Sequence, residues 1–360
     1  MEPFKNLFNV QFVISLAHYI HKYENQFQKE DYVACVTQQL ESLELKQRMR
    51  LISTAIDTFL PLEYKQSLEV LKKVKSHFTP EESMGLQSMV LPDFVEVYGL
   101  HDFESSMSAL ELFTIDSSSE FAVRHFIINY EEETMFKMRE FAQSQNEHLR
   151  RFASEGCRPR LPWAIALPKY KNDPSKVFEV LELLKYDESK YVQKSVANNL
   201  NDISKDNPSL VVEFVTNNIG KNKNCDWILK HASRTLLKQG NQEVLRLFGF
   251  IQASHVNIDD FIVDESVEFG DILNFEFQLN SSEPLGNLRI EYAIDFVKSN
   301  GKQSRKIFMI SQSNIKASDK KITKKYSFKP ISTRKYYKGI HGLALIINGI
   351  ELKKKEFVLN

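Results

Sequence analysis

Residues 148–155 read HLRRFASE, residues 191–198 YVQKSVAN and residues 227–234 WILKHASR. Each segment opens on an aromatic residue followed by an aliphatic one. The intervals between them, 43 and 36 residues, bracket the period of about 40 expected of HEAT-like helix pairs. A related unit, Glu120-Phe121-Ala122-Val123-Arg124-His125-Phe126, precedes them at a shorter interval. In such a solenoid the second helix of each pair lines a concave surface, so equivalent repeat positions converge on one groove.

Toward the N-terminus the same grammar holds. FVISLAHYIHKY, DYVACVTQQLESLE, KQRMRLISTAIDTFL and YKQSLEVLKKVKSHF place apolar residues at three- and four-residue spacing, the mark of amphipathic helices. Connections such as LPLEY and FTPEES are short, which predicts antiparallel pairs. After Gly249 the period drops to two. ILNFEFQL, LRIEYAIDFV, KIFMIS and KKYSFK alternate apolar and polar residues, as half-buried strands do. Asn280-Ser281-Ser282, Ser299-Asn300-Gly301 and Asn348-Gly349 carry hairpin chemistry. About seven short strands predict an immunoglobulin-like or fibronectin-like sandwich, a small barrel being the alternative. The chain therefore divides into a HEAT-like all-α superhelix over residues 1–250 and a small all-β domain over 255–360, docked directly on the last helices.

Length agrees with two domains, since 360 residues exceed what one core usually supports. Three widely spaced cysteines form no CxxC pair and predict a reduced compartment. No apolar run is long enough to span a bilayer, and MEPFKNLFNVQFV lacks the signature of a secretory signal. A cytoplasmic protein with no membrane association is expected. Lys+Arg and Asp+Glu both total 47, so overall charge is silent about nucleic acid. Residues 289–360 nevertheless hold 17 Lys/Arg against 5 Asp/Glu, a local positive excess. From charge alone, lysines that solvate strand edges are the favoured explanation.

The least ordinary stretch is Ser154-Glu155-Gly156-Cys157-Arg158-Pro159-Arg160-Leu161-Pro162-Trp163. A helix ends there, and a proline-bracketed loop presents an acid, two arginines and an indole. Gly156 would supply a left-handed residue after the helix, and Pro159 and Pro162 would stiffen the loop beyond it. The plainer assignment makes Glu155 a solvated acid paired with Arg158, and Trp163 a core residue.

The sequence resembles the AlkC branch of the AlkC/AlkD alkylpurine DNA glycosylases. The resemblance rests on Ser119 to Arg124, Asn146 to Arg151, Glu155 to Trp163 and Asp226 to Leu236, which follow that branch's motifs in order. Phe4 to Asn9 and Leu43 to Lys46 also fit. The chain departs from the pattern at His125, where the family has a proline. Some members of the branch carry an appended β domain.

The resemblance implies excision of cationic bases, mainly 3-methyladenine and 3-methylcytosine, from double-stranded DNA without base flipping, an exception to the usual extrusion. Such a base leaves readily as a neutral molecule. The enzyme must stabilise the sugar cation that develops, which preorganised carboxylates and aromatic faces do in a partly dehydrated groove. Glu155 is assigned as the principal catalytic carboxylate, orienting water. Glu120, one repeat earlier, and Asp202, in the NNLNDIS turn one repeat later, would converge with it. Trp163 would pack against the lesion nucleotide. Arg158, Arg160, Lys194, Lys230, His231 and Arg234 would track successive phosphates. Lys320, Lys321, Lys324, Lys325, Arg334 and Lys335 of the β domain would approach the duplex from its other side.

A non-catalytic repeat scaffold that binds DNA or protein is the competing reading, against which the Glu155 to Trp163 loop speaks. A bifunctional lyase would need an amine nucleophile, and that loop contains no lysine. GxxxxGK[ST], GxGxxG and HExxH are all missing from the sequence, so no metal and no organic cofactor are expected. A monomer without an obligate protein partner completes the expectation.

Overall fold

The computed structural model of the chain describes residues 3–78, 85–332 and 334–360. Sixteen α-helices lie among them. They are α1 (Val10–Tyr23), α2 (Lys29–Leu40), α3 (Leu45–Phe59), α4 (Tyr64–Lys75), α5 (Val90–Tyr98), α6 (Phe103–Phe113), α7 (Val123–Asn129) and α8 (Glu131–Ala142). The others are α9 (Glu147–Gly156), α10 (Pro168–Asn172), α11 (Ser175–Leu184), α12 (Lys190–Ile203), α13 (Pro208–Asn218), α14 (Lys223–Ala232), α15 (Arg234–Lys238) and α16 (Gln242–Leu247). The four N-terminal helices expected from periodicity all form. The FTPEES connection, apart from Phe78, lies outside the described residues.

Starts are set by local chemistry. Asn9 accepts from the Phe12 amide at 2.9 Å, and Asn146 from that of His148 at 2.9 Å. Glu44 with Gln47 and Glu63 with Gln66 form capping boxes, each satisfying two otherwise orphaned amides. The stacked segments HLRRFASE, YVQKSVAN and WILKHASR fall on α9, α12 and α14, and these helices pack side by side in that order. The helical repeat is thus observed where the aromatic-aliphatic pattern placed it. Two of the aromatic openers meet edge to face: His148 and Tyr191 have ring centroids 5.7 Å apart.

Two compact units result, Met1–Asn207 with Gly220–Ala232, and Pro208–Ile219 with Ser233–Asn360. This division lies upstream of the change from helix to strand, because α13, α15 and α16 belong to the second unit.

The β domain is a two-sheet immunoglobulin-like sandwich. Its strands are β1 (Asn257–Val263), β2 (Ser266–Val267), β3 (Ile272–Asn280), β4 (Gly286–Val297), β5 (Gln303–Ile315), β6 (Asp319–Ser327), β7 (Gly339–Ile347) and β8 (Ile350–Leu359). One sheet has the order β1-β3-β6 and the other β2-β8-β7-β4-β5. Phe275, Phe277 and Leu279 of β3 meet Ile290, Ile294, Leu345 and Phe357 of the other sheet in a dry core, each worth about 1.5–3 kcal/mol of burial.

Two of the three expected hairpins form. Asn300-Gly301 joins β4 to β5, and Asn348 with Gly349, at φ of 46° and 79°, joins β7 to β8. Asn280-Ser281-Ser282 does not, because β3 pairs with β6 while β4 lies in the opposite sheet; those residues make a crossover. The β7–β8 turn seats on the last helices of the same unit. Asn348 donates to the Ile251 carbonyl at 2.6 Å, and Asn287 to that of Gly249 at 2.9 Å.

Candidate active site

The last turn of α9 delivers Glu155, and a close approach to α7 makes this possible. A Cβ on Gly156 would stand 2.7 Å from Val123 Cγ1, so this position takes no side chain. The glycine is there for proximity, not for a left-handed turn: it is still helical, and the left-handed residue of the loop is Trp163, at φ 65°. A non-glycine residue held in that region costs on the order of 1–3 kcal/mol, which the surroundings must supply.

Those surroundings are hydrogen bonds to loop carbonyls. Arg124 of α7 is fully buried and donates to the carbonyls of Gly156 at 3.0 Å, Arg158 at 2.8 Å and Ile165 at 2.5 Å. Burial pulls its guanidinium down to about 10, so it stays cationic at neutral pH. His125, where the resemblance predicts proline, is the third residue of α7; its amide donates to the Ala122 carbonyl at 3.3 Å and its Nε2 lies 3.5 Å from Glu96. From α3, Lys46 Nζ donates to the Trp163 carbonyl at 2.7 Å and lies 4.7 Å from the centre of the Phe121 ring. Cys157 is buried, which pushes its thiol up to about 12 and keeps it protonated.

Six side chains then alternate in charge along α9, α12 and the segments beside them. Glu120 accepts from Arg151 at 2.6 Å and from the Ser118 hydroxyl. Arg151 Nη2 lies 3.8 Å from Glu155 Oε1. The same oxygen accepts from Arg158 Nη1 at 2.6 Å, while Oε2 accepts from Ser195 Oγ at 2.5 Å. Arg158 reaches Asp202 through Nε at 2.9 Å and Nη2 at 2.8 Å, and Asp202 accepts from Lys205 at 2.9 Å. Burial opposes the charge of Arg158, but Glu155 and Asp202 outweigh it and hold its pKa above the ordinary value. Each carboxylate thus faces a cation, the condition for keeping ions in a low-dielectric site.

Beside this row opens a cavity of about 270 Å³. Lys46, Glu120, Glu155 and Arg158 form its polar wall; Phe121, Leu161, Pro162 and Trp163 are among its apolar lining. Trp163 is 66% exposed, so the core placement weighed from sequence is overturned. Asp202 is not at the wall. It lies in the last turn of α12 and not in a turn, and joins the row through Arg158.

The residues nominated for phosphate fall into different situations. Arg158 is buried at 7% exposure and committed to two carboxylates, which corrects its reading as a free backbone contact. Arg160 forms a two-pronged pair with Asp206 at 2.9 and 2.6 Å. Lys194 and Lys230 are exposed on α12 and α14. They hold the repeat position that Arg151 holds on α9, a correspondence that could have singled out Arg151 from sequence. His231 stacks on Trp227 at 5.2 Å, and Arg234 opens α15 in the second unit. In the β domain, Lys321 and Lys325 alternate with Lys320 and Lys324 along β6. The latter pair shares its face with buried Ile322, so the four do not form one basic surface. Lys321 also pairs with Glu276 at 3.0 Å. Arg334 donates to Tyr326 at 2.6 Å and lies over Phe296 at 4.5 Å, a half-buried structural placement. Lys335 is exposed beside Tyr337.

Sequence reasoning assigned no role to Arg124, Arg151, Ser195 or Lys46; 117 positions separate Lys46 from Trp163. Among the described residues, no group of three or more His, Cys, Asp and Glu could hold a metal ion, and no helix is long and apolar enough to cross a membrane.

Comparison with known proteins places the chain in a family. The family described as "DNA alkylation repair enzyme" matches residues 110–236, which include Glu120, Glu155, Trp163 and Asp202. The family described as "Uncharacterised protein YhaZ, C-terminal Ig-like domain" matches residues 257–360. The chain is 42% identical over 354 residues to the uncharacterized protein YhaZ of Bacillus subtilis strain 168, covering 97% of each. It is also similar to the Pseudomonas fluorescens alkylpurine DNA glycosylase AlkC bound to DNA containing an abasic site analog, at 36% identity, with 100% of each chain covered and a TM-score of 0.94. Matched from end to end at these identities, the chain belongs to the AlkC-like family of DNA alkylation repair enzymes, with an immunoglobulin-like C-terminal domain.

Proposed function

We propose that this protein is a monofunctional DNA glycosylase that hydrolyses the N-glycosidic bond of 3-methyladenine and 3-methylcytosine in double-stranded DNA, without flipping the base. The observation that carries this reading is the Glu155 carboxylate, held by Ser195 and Arg158 at the wall of a cavity that Phe121 and exposed Trp163 also line. As the C1′–N bond breaks, its electron pair leaves with a base that already carries one positive charge, so the base departs neutral. Glu155, with Glu120 alongside, stabilises the sugar cation left behind. A water molecule adds its oxygen to C1′ and yields a proton to Glu155. Trp163 packs against the lesion nucleotide, and Asp202 acts through Arg158.

Residues 1–250 would supply the glycosylase domain and residues 255–360 a second DNA contact. Arg160, Lys194, Lys230, His231 and Arg234 would meet phosphates. The protein would work as a cytoplasmic, nucleoid-associated monomer with no cofactor.

The test is release of free methylated base from DNA treated with a methylating agent, with borohydride added in a parallel reaction. Release of 3-methyladenine or 3-methylcytosine without a trapped covalent complex is expected. DNA binding without release would make the chain a scaffold, and a trapped complex would make it a lyase.

A further inference from the structure

Trp163 presents its indole to solvent from a backbone conformation that L side chains rarely adopt. Something must hold it there. Trp163 is the only residue of the loop between Gly156 and Leu167 at positive φ, and two cations from separate helices bind carbonyls of that loop. Arg124 grips Gly156, Arg158 and Ile165 from inside α7, and Lys46 grips the Trp163 carbonyl from α3. Arg124 fixes the two ends of the loop, while Lys46 bonds the strained residue itself.

We propose that Lys46 is a positioning residue for base excision, acting through Trp163: its ammonium latches the Trp163 carbonyl and keeps the indole at the mouth of the cavity beside Glu155. The inference rests on the glycosylase reading for its catalytic consequence, though not for the latch. Three features favour it. The Lys46 ammonium is already engaged, by the carbonyl and by the face of Phe121 at 4.7 Å, an arrangement that suits a fixed cation more than a nucleophile. Lys46 stands in the first turn of α3, which the Glu44–Gln47 capping box anchors, so its stem projects from a fixed base. The loop's other ties pass by the Trp163 carbonyl: Arg124 holds Gly156, Arg158 and Ile165, Arg158 and Arg160 pair with Asp202 and Asp206, and the amides of Ala164 and Leu167 donate to Leu161 at 3.3 Å and Pro159 at 3.1 Å, which leaves that carbonyl to Lys46.

The chain has two tryptophans and 13 tyrosines, so a Trp227→Phe background leaves Trp163 the one indole, which is excited selectively beyond the tyrosine absorption band. In the full-length protein the anisotropy decay of Trp163 then reports nanosecond motion of the indole. Lys46→Met is expected to enlarge the fast depolarisation and to slow single-turnover release of methylated base by on the order of tenfold to a hundredfold. Affinity for undamaged duplex should stay unchanged, and Lys46→Arg should restore both readouts. Unchanged anisotropy in Lys46→Met overturns the latch. Base release and undamaged-duplex affinity falling together would make Lys46 a phosphate contact instead. A borohydride-trapped complex that Lys46→Met abolishes would make it a nucleophile. Wild type that releases no base overturns the glycosylase reading, and the anisotropy arm then decides the latch by itself.

Discussion

Arg158 lies one helical turn beyond Glu155 and donates to its Oε1 at 2.6 Å, while the other edge of the same guanidinium holds Asp202. The carboxylate proposed for chemistry is therefore fixed by an arginine that is itself fixed from a neighbouring repeat. Catalytic geometry and local stability are joined at this residue, and substitutions should separate them.

Glu155→Gln keeps the shape of the side chain and removes its charge. Base release under single-turnover conditions should fall by about 10²- to 10⁴-fold, with binding to methylated duplex retained. An undiminished rate would remove Glu155 from the chemistry.

Arg158→Met and Arg160→Met should differ sharply in stability. The first leaves Glu155 and Asp202 buried without their shared cation, at a cost of about 3–5 kcal/mol. The second breaks an exposed pair with Asp206 and should cost at most about 1 kcal/mol. Urea unfolding midpoints check this, and equal midpoints would refute the buried row of charges.

Gly156→Ala should destabilise the protein by about 1–3 kcal/mol, because the new methyl group would meet Val123 Cγ1 in an overpacked contact. Val123→Ala opens the same space from the other side. The double variant should recover part of the loss, giving a coupling energy in a double-mutant cycle, whereas strict additivity would show that α7 and α9 do not touch there.

Asp295 on β4 accepts from Arg305 at 2.7 and 2.9 Å and pairs with Lys354 at 2.8 Å. Arg305 first, then Lys354, bring its carboxyl down to about 2 from the usual 3.8. Because the folded value lies below the unfolded one, the stabilisation is complete above about pH 4 and disappears as pH falls through about 2. Asp295→Asn should therefore be less stable at neutral pH and show a flatter loss of stability in acid. Chemical denaturation at a series of pH values would reveal parallel curves if Asp295 contributes nothing.

The helices and strands were legible because burial imposes a period on the residues that make them. The stacking of α9, α12 and α14 was legible because His148, Tyr191 and Trp227 recur at repeat spacing. Glu155 and Trp163 could be singled out because an acid and an indole flank prolines. What remained hidden depends on partners distant in sequence. The polar NNLNDIS run suggests a turn, yet Asn199 donates to the Ser154 carbonyl at 2.8 Å and Asp202 meets Arg158, so tertiary bonds carry α12 through it. Gly156 carries no mark of the methyl group of Val123 opposite it. Nor does the KKITKK run of β6 declare that period two sends neighbouring lysines to opposite faces.

Gly240 and Gly349 touch across the second unit. A Cβ on Gly240 would fall 2.7 Å from the Gly349 carbonyl oxygen, and one on Gly349 would fall 2.8 Å from the Gly240 Cα. Two backbones meet there with no side chain between them to be trimmed or enlarged. Modularity tracks the packing more than the change in secondary structure. Trimming the chain at residue 250 would strip the β7–β8 turn of the surface it was shaped to meet, whereas a fragment beginning at Ser233 would carry its own seat, and transplanting the sandwich onto another repeat protein would require both glycines to travel with it.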